Sequence, residues 1–174
     1  MSLPSRDEAL GILEAVGTPC HVIEHCENVT KVALRIASQL IFRGYDVDIR
    51  LVEAGALLHD IGRSRSHEVD HAVKGAQIAR ELGLPDELIH IIERHIGAGI
   101  PDDEARKLGL PEGHYVPEAL EEKVVAYADK LIAGRCEVDI SVTMKDFAHR
   151  LGEDHPSIQR LHDLDVEMRA LLNG

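Results

Sequence analysis

An all-α fold is predicted by three features of this 174-residue sequence. Apolar residues recur at intervals of three and four through most of the chain, as they do along one face of a helix. Glycine and proline stand mainly between these stretches, where helices end and begin. An alternating strand pattern is limited to residues 136–142, at Val138, Ile140 and Val142. We therefore expect a compact helical core with additional N- and C-terminal helices.

Of the first four helices, the first, third and fourth are expected to begin at capping residues, and all four are expected to end near glycines or at the His59-Asp60 pair. Ser5 and Glu8 form a capping-box pattern that opens the first helix. Asp48 and Asp70 are residue types suited to cap the third and fourth helices. The expected limits of the four helices are 5–17, 19–44, 48–60 and 70–83.

Proline marks the start of two later helices, because it fits the first helical turn. Pro85 opens a helix over 85–97, and Pro117 opens one over 117–134. The segment 97–117 between them contains four glycines and three prolines, and we expect a lid-like loop with a short helix at 102–108. Accessory helices are expected at 143–151 and 156–172. The chain thus reads as one domain over 1–174, with a core at about 19–135 and accessory C-terminal helices over 143–173.

Composition narrows the classes of partner. The net charge of −12 and the five aromatic residues argue against a polymeric nucleic acid or an anionic membrane as the ligand. No apolar stretch has membrane-spanning length, and the N-terminus lacks a signal-peptide pattern. Three cysteines without a CxxC pair indicate reduced thiols. These features together predict a cytoplasmic protein.

The strongest functional signal is His59-Asp60, which follows the apolar run 51–58. A buried carboxylate without a partner is costly, and an adjacent imidazole suggests that its partner is a metal cation. Other apolar helical faces carry similar side chains, namely His25, His71, His95 and Asp129. Each of these alone is more often a hydrogen-bonded core histidine or a buried ion pair. Together they would leave many polar atoms unsatisfied, which favours a metal site.

These residues resemble the motifs of the HD superfamily of metal-dependent phosphohydrolases. His59-Asp60-Ile61-Gly62 matches the HDIG variant, and Asp129 lies in Ala-Tyr-Ala-Asp-Lys-Leu, similar to the family's last aspartate motif. His71 and His95 resemble further histidines of the branch that holds two metals, which includes dinucleoside tetraphosphate hydrolases. The sequence after His95 lacks the paired histidines and Gly-Tyr-Pro of the cyclic-di-GMP branch.

The resemblance implies an enzyme with one or two divalent transition metal ions. Fe, Mn, Zn or Ni suits imidazole and carboxylate donors better than Mg does. The ion ligands implied are His25, His59, Asp60, His71, His95 and Asp129, with Asp60 bridging. If His71 and His95 face a substrate phosphate instead, one ion remains. The implied reaction is attack of a metal-activated hydroxide on a phosphoester or phosphoanhydride of a nucleotide or another small phosphorylated substrate.

Basic residues close to these motifs in the sequence are the predicted phosphate contacts. They are Arg63, Lys74, Arg94 and Arg135, while Asp60, His67 and Lys130 form the predicted catalytic set. His67 suits a proton donor, a substrate contact or an alternative ligand. Two other functions stay open, namely an HD-fold dinuclear-iron oxygenase and a non-catalytic nucleotide-binding regulatory module. The exposed helices also leave a homodimer open.

Overall fold

A computed structural model describes residues 2–174, and within them the all-α prediction is confirmed. The helices are α1 Arg6–Ala15, α2 Cys20–Phe42, α3 Ile49–Leu58, α4 His71–Glu81, α5 Asp86–Arg94, α6 Asp102–Lys107, α7 Leu120–Lys130, α8 Ile140–Leu151 and α9 Pro156–Asn173. A 3₁₀ turn over Ile61–Ser64 joins α3 to the α4 region, and the strands β1 Ile132–Ala133 and β2 Cys136–Glu137 form a small antiparallel hairpin.

Side-chain caps account for four of the nine α-helix starts in residues 2–174, namely those of α1, α3, α8 and α9. The Ser5 and Glu8 side chains form the predicted capping box at α1. The Asp48 carboxylate accepts hydrogen bonds from the backbone N–H groups of Arg50 (2.9 Å) and Leu51 (3.1 Å) at the start of α3. Asp70 occupies the position before α4, but its side chain makes no cap and accepts a hydrogen bond from the Ser66 hydroxyl instead.

The region after α7 differs from the predicted helix over 117–134. The helix ends at Lys130, and the chain turns into the hairpin, whose two-residue turn begins with Gly134 at φ +61°. Glycine suits the first position of such a turn because it accepts positive φ without strain. The next helix begins at Ile140 rather than 143, because the Asp139 side chain caps it by accepting from the Ser141 N–H at 2.9 Å.

Helix α3 lies between the two main groups of buried apolar residues. One group joins α2, α3, α7 and α9, and the other joins α1, α3, α4 and α5. Because the end of α3 is enclosed on both sides, the residues that follow it are buried as well. His59 is fully buried and Asp60 is 4% exposed.

A close backbone contact fixes the turn after α3 against α4. A Cβ placed on Gly62 would lie 1.8 Å from the carbonyl oxygen of His71, so only glycine fits. This contact brings the first turn of α4 beside Asp60. Among residues 2–174, no helix is both long enough and apolar enough to cross a membrane.

Candidate metal centre

The fold brings all six predicted metal ligands together from five parts of the chain. They form two groups that meet at Asp60. His25, His59 and Asp129, from α2, the end of α3 and α7, make the first ligand group, and their donor atoms lie within 4.8 Å of one another. Asp60, His71 and His95 make the second ligand group.

The first ligand group is held by short contacts. The Nε2 atom of His25 lies 2.9 Å from Oδ1 of Asp129, and the Nε2 atom of His59 lies 3.6 Å from the same oxygen. The Nε2 atom of His59 is also 3.8 Å from Oδ2 of Asp60. The two carboxylates therefore face the same imidazole from different parts of the chain.

The second ligand group surrounds the other oxygen of Asp60. Its Oδ1 atom lies 3.0 Å from Nε2 of His71 and 3.4 Å from Nε2 of His95. The two Nε2 atoms are 3.1 Å apart. Asp60 thus presents one oxygen to each group, the arrangement expected of a bridging carboxylate.

Backbone carbonyls orient three of the four imidazoles. The Nδ1 atoms of His59, His71 and His95 lie 2.8, 2.7 and 2.8 Å from the carbonyl oxygens of Ala56, Glu68 and Ile92. A carbonyl only accepts, so each Nδ1 carries the proton and each Nε2 of a neutral ring has a free lone pair. Such second contacts are typical of metal-binding histidines.

Two buried atoms in this cluster lack a hydrogen-bond partner, namely Nε2 of His59 and Oδ1 of Asp60. A buried polar atom without a partner is costly. A cation held by each ligand group would give both atoms a partner. The donor set of imidazole and carboxylate therefore fits divalent transition metal ions.

The charge states of the side chains suit cation binding. Burial raises the pKa of the Asp60 carboxyl, but the nearby His59, His71 and His95 outweigh burial and hold the pKa well below its usual range. For Asp129, burial also raises the pKa, and Lys130 and His25 outweigh it, so the pKa is again lowered. Burial lowers the pKa of His95 to about 4, which keeps its ring neutral at pH 7. Both carboxylates are thus ionised, and His95 is ready to bind metal.

The family model for the HD domain matches residues 22–134. The chain belongs to the HD-domain family. A protein of Methanocaldococcus jannaschii is 49% identical over 166 residues, which are 95% of this chain and 98% of that protein. The tRNA (cytidine(56)-2'-O)-methyltransferase of Picrophilus torridus is 41% identical over 162 residues, or 92% of this chain. The chain spans only 46% of that methyltransferase.

A solved structure shares the HD fold. The HD domain of the phosphodiesterase PgpH from L. monocytogenes, in complex with cyclic-di-AMP, has a TM-score of 0.57 and 17% sequence identity. The match covers 94% of this chain and 98% of that one. At this identity the likeness concerns the fold. The matched 94% of the chain is more than the residues 22–134 that the family model matches.

A cavity of about 920 Å³ opens over the ligands of the HD domain. Of the predicted basic and catalytic residues, Asp60, Arg63, His67 and Lys130 line it. The Nε atom of Arg63 donates to Oδ2 of Asp60 at 2.8 Å, and Lys130 pairs with the carboxylate of Asp129. The exposed His67 lies at the cavity and accepts from Arg63 through its backbone carbonyl at 3.3 Å.

The other three basic residues predicted to contact phosphate lie elsewhere. Arg94 is buried and pairs with Glu122 at 3.1 Å and Glu118 at 3.2 Å, on the side of α5 that faces α7, outside the cavity. Lys74 also lies outside the cavity, 3.8 Å from the Asp70 carboxylate. Arg135 lines a smaller neighbouring cavity of about 460 Å³ and pairs with Glu24 at 2.9 Å. The prediction that Arg94 and Lys74 contact substrate phosphate is therefore corrected.

Sequence reasoning missed the outer wall of the cavity. This wall comes from α8 and α9, beyond the HD match, and includes Thr143, Asp146, Phe147, Arg150, His155, Ser157 and Arg160. The spacing 143, 146, 147, 150 is that of one helical face. That face mixes polar and aromatic residues, so it gave no apolar stripe to mark it.

Proposed function

We propose that this HD protein is a metal-dependent phosphohydrolase that cleaves a phosphoester or phosphoanhydride bond in a nucleotide or another small phosphorylated substrate. One observation carries the proposal: the imidazoles of His71 and His95 aim their Nε2 atoms at each other and at one carboxylate in a buried site. The distances are 3.1 Å between the two nitrogens and 3.0 and 3.4 Å from them to Oδ1 of Asp60. A cation bound at this point would offset the cost of burying these polar atoms together.

Each ligand group would hold one ion, with Asp60 shared between them. His25, His59 and Asp129 would hold the first ion, and His71 and His95 would hold the second. When bound, two such ions supply an activated water and offset the negative charge that develops on phosphorus oxygens. Fe, Mn, Zn and Ni match the nitrogen and oxygen donors.

Charge in the cavity supports an anionic substrate only in the metal-loaded protein. Five carboxylates line the cavity, Asp60, Glu68, Glu104, Asp129 and Asp146, against four fixed cations, Arg63, Lys130, Arg150 and Arg160. The fixed groups therefore carry a net charge of −1, which repels phosphate. Two divalent cations would make the sum +3 and attract it.

In this proposal three side chains assist the reaction. Arg63 and Lys130 lie at the ligand carboxylates and present cationic donors to the cavity, so a phosphate beside the ions would be within their reach. His67 is exposed at the cavity, where an imidazole can give a proton to the leaving group. The segment 97–117 acts as a lid in this proposal, because its residues Gly97, Ile100, Glu104 and Leu108 border the cavity.

The relatives support the substrate class at different strengths. The PgpH domain with the same fold belongs to a phosphodiesterase and is seen with a cyclic dinucleotide, which favours a nucleotide substrate. The methyltransferase activity named for the Picrophilus torridus protein belongs to a chain about twice as long. We do not extend that activity to this chain.

The test combines metal analysis with phosphate release. Freshly purified protein is measured for Fe, Mn, Zn and Ni, stripped and reloaded with each ion, and assayed against nucleoside mono-, di- and triphosphates, dinucleoside polyphosphates and cyclic dinucleotides. Metal-dependent turnover of one of these supports the proposal. Dioxygen consumption by a reduced di-iron form without phosphate release would replace it with an oxygenase. Nucleotide binding without turnover under every metal would replace it with a regulatory module.

A further inference from the structure

Helix α8 contributes a face to the cavity while contributing little to the core. Within α8 only Ile140 is buried, and Val142, Thr143, Asp146, Phe147, Arg150 and Leu151 line the cavity. A helix that served only to cover the domain would turn its apolar residues inward and bury them. The half-exposed face of α8 instead borders the space above the metal ligands.

Phe147 is the one Phe, Tyr or Trp side chain among the cavity-lining residues of the described chain. Its Cε1 atom lies 3.8 Å from the position that a Cβ would take on Gly97, and Gly97 follows the ligand His95 by two residues. Two residues of chain span about 7 Å at most. The ring therefore lies beside the segment that carries His95, and it lines the same cavity as His71 and His95.

Arg150 adds a second planar group, which lies over the ring. Its guanidinium carbon lies 5.1 Å from the centroid of Phe147, and the Asp146 carboxylate holds Arg150 in an ion pair at 2.5 Å. Aromatic faces and guanidinium planes are the surfaces on which nucleobases stack. Aspartate and arginine next to such a surface also offer hydrogen bonds to the edge of a base.

We propose that α8 forms a nucleobase-binding wall, with Phe147 as the stacking platform and Arg150 beside it, opposite the ions that receive the phosphate. This inference rests on the proposed function and makes it more specific, because it names an aromatic base as the part of the substrate that the C-terminal helix selects. A phosphorylated sugar without a base would reach the metals but would leave this wall uncovered.

The test compares ligands that differ only in the base. Calorimetry with the metal-loaded protein measures binding of AMP, GMP, CMP and UMP against ribose 5-phosphate. The variant Phe147→Leu keeps an apolar side chain of similar size but removes the flat ring, and Phe147→Tyr keeps the ring. We expect the preferred mononucleotide to bind more tightly than ribose 5-phosphate. Phe147→Leu should shrink this preference by about 5- to 150-fold, the range that one stacked base contributes, and Phe147→Tyr should retain it.

Controls separate stacking from a general loss of structure. Lys145→Ala, on α8 but outside the cavity lining, removes a cation without touching the wall and should bind like the parent protein. Arg150→Ala should weaken the preference less than Phe147→Leu does, because the ring remains. Metal content and thermal unfolding of each variant are measured alongside, so a misfolded variant is recognised and the tyrosine variant then decides.

The outcomes distinguish this inference from the function on which it rests. If the parent protein binds all four mononucleotides no better than ribose 5-phosphate, or if Phe147→Leu binds as the parent does, the base-binding wall is wrong even where phosphate is released. If no phosphate ester is hydrolysed but Phe147→Leu still loses the preference for a mononucleotide, the wall stands and the hydrolase assignment fails.

Discussion

The floor and the outer wall of the cavity differ in how far their polar side chains are exposed to solvent. The floor is formed by the ligand-bearing ends of α2, α3, α5 and α7 and the start of α4, with His59, Asp60, His71 and His95 each at most 5% exposed. The wall is formed by α8 and α9, where Arg150 and its partner Asp146 are more than half exposed. Charges in the floor cannot be screened by water, so their geometry must be fixed by packing.

The difference assigns different roles to the two regions. A buried floor fixes the positions and protonation states of its donors, which a metal site needs. An exposed wall tolerates changes of side chain at little cost in stability, so it suits selection among substrates that share a phosphate. Substitutions in the floor should therefore change metal content and folding. Substitutions at the edge of the floor should change catalysis alone.

Asp60→Ala should have the largest effect on activity. Its carboxylate contacts His59, His71, His95 and Arg63, so its loss opens both ligand groups. We expect metal content to fall by at least one ion per chain and phosphate release to fall on the order of 10³-fold, since several kcal/mol of transition-state stabilisation depend on the ions. Elemental analysis and initial rates measure the two effects. Asp163→Ala, an exposed aspartate on α9, is the matched control. Full metal content with full turnover in Asp60→Ala would overturn the assignment of the floor.

Arg94→Met tests whether the floor depends on a charge pair outside the cavity. The Arg94 and Glu122 side chains are 10% and 6% exposed, and they link α5 to α7. Without the guanidinium, the Glu122 carboxylate is left buried beside the backbone N–H of Glu118 alone. We expect a loss of about 3–5 kcal/mol in the free energy of unfolding, as for a broken buried pair.

Denaturant titration of the metal-loaded protein measures this loss. Arg80→Met is the comparison, because Arg80 pairs with Glu93 from an exposed position (53%) and should cost no more than about 1 kcal/mol. The folded Arg94→Met protein should keep its substrate affinity. A change in affinity with unchanged stability would mean that Arg94 reaches the substrate after all.

Chelation should loosen the floor and leave the wall as it is. The six ligands come from five chain segments, so bound ions tie those segments together in the folded state only. At free metal a hundred times Kd, each ion adds about 2.7 kcal/mol to the free energy of unfolding, and chelation removes it. Thermal unfolding with and without a chelator measures the change. Asp60→Ala should show a smaller response, and equal stability of metal-loaded and stripped parent protein would contradict the scheme.

The sequence predicted the floor well because its signals are local. Each ligand stands on or directly after an apolar helical face, and a helix whose apolar face is buried must bury its neighbours on that face too. The sequence therefore predicted that His25 on α2 and Asp129 on α7 would come together, although it does not show which helices are in contact. The 2.9 Å contact between them joins residues 104 positions apart.

The wall and the basic residues were predicted less well because they depend on distant partners. Arg94 precedes the ligand His95, yet neighbouring positions on a helix point in different directions, and Glu122 on α7 captures its guanidinium. The end of α7 was predicted too late, because Gly134 was taken as the end of the helix whereas it lies in the turn of the hairpin. The start of α8 was predicted too late, because the alternation of Val138, Ile140 and Val142 resembled a strand and Asp139 was not recognised as a helix cap.

A comparison of Arg63 with Lys74 tests where the floor ends. Both residues are basic and partly exposed, and the sequence predicted the same role for both. Arg63 donates to Asp60 inside the cavity, whereas Lys74 contacts only Asp70 outside it. Arg63→Met should lower kcat/KM by about 10- to 100-fold, the usual effect of removing a group that orients a metal ligand. Lys74→Met should change it less than about twofold, because an exposed ion pair contributes little. Initial rates for the two variants side by side measure the difference. Equal losses of kcat/KM in the two variants would show that the overall surface charge attracts phosphate, rather than contacts beside the ions.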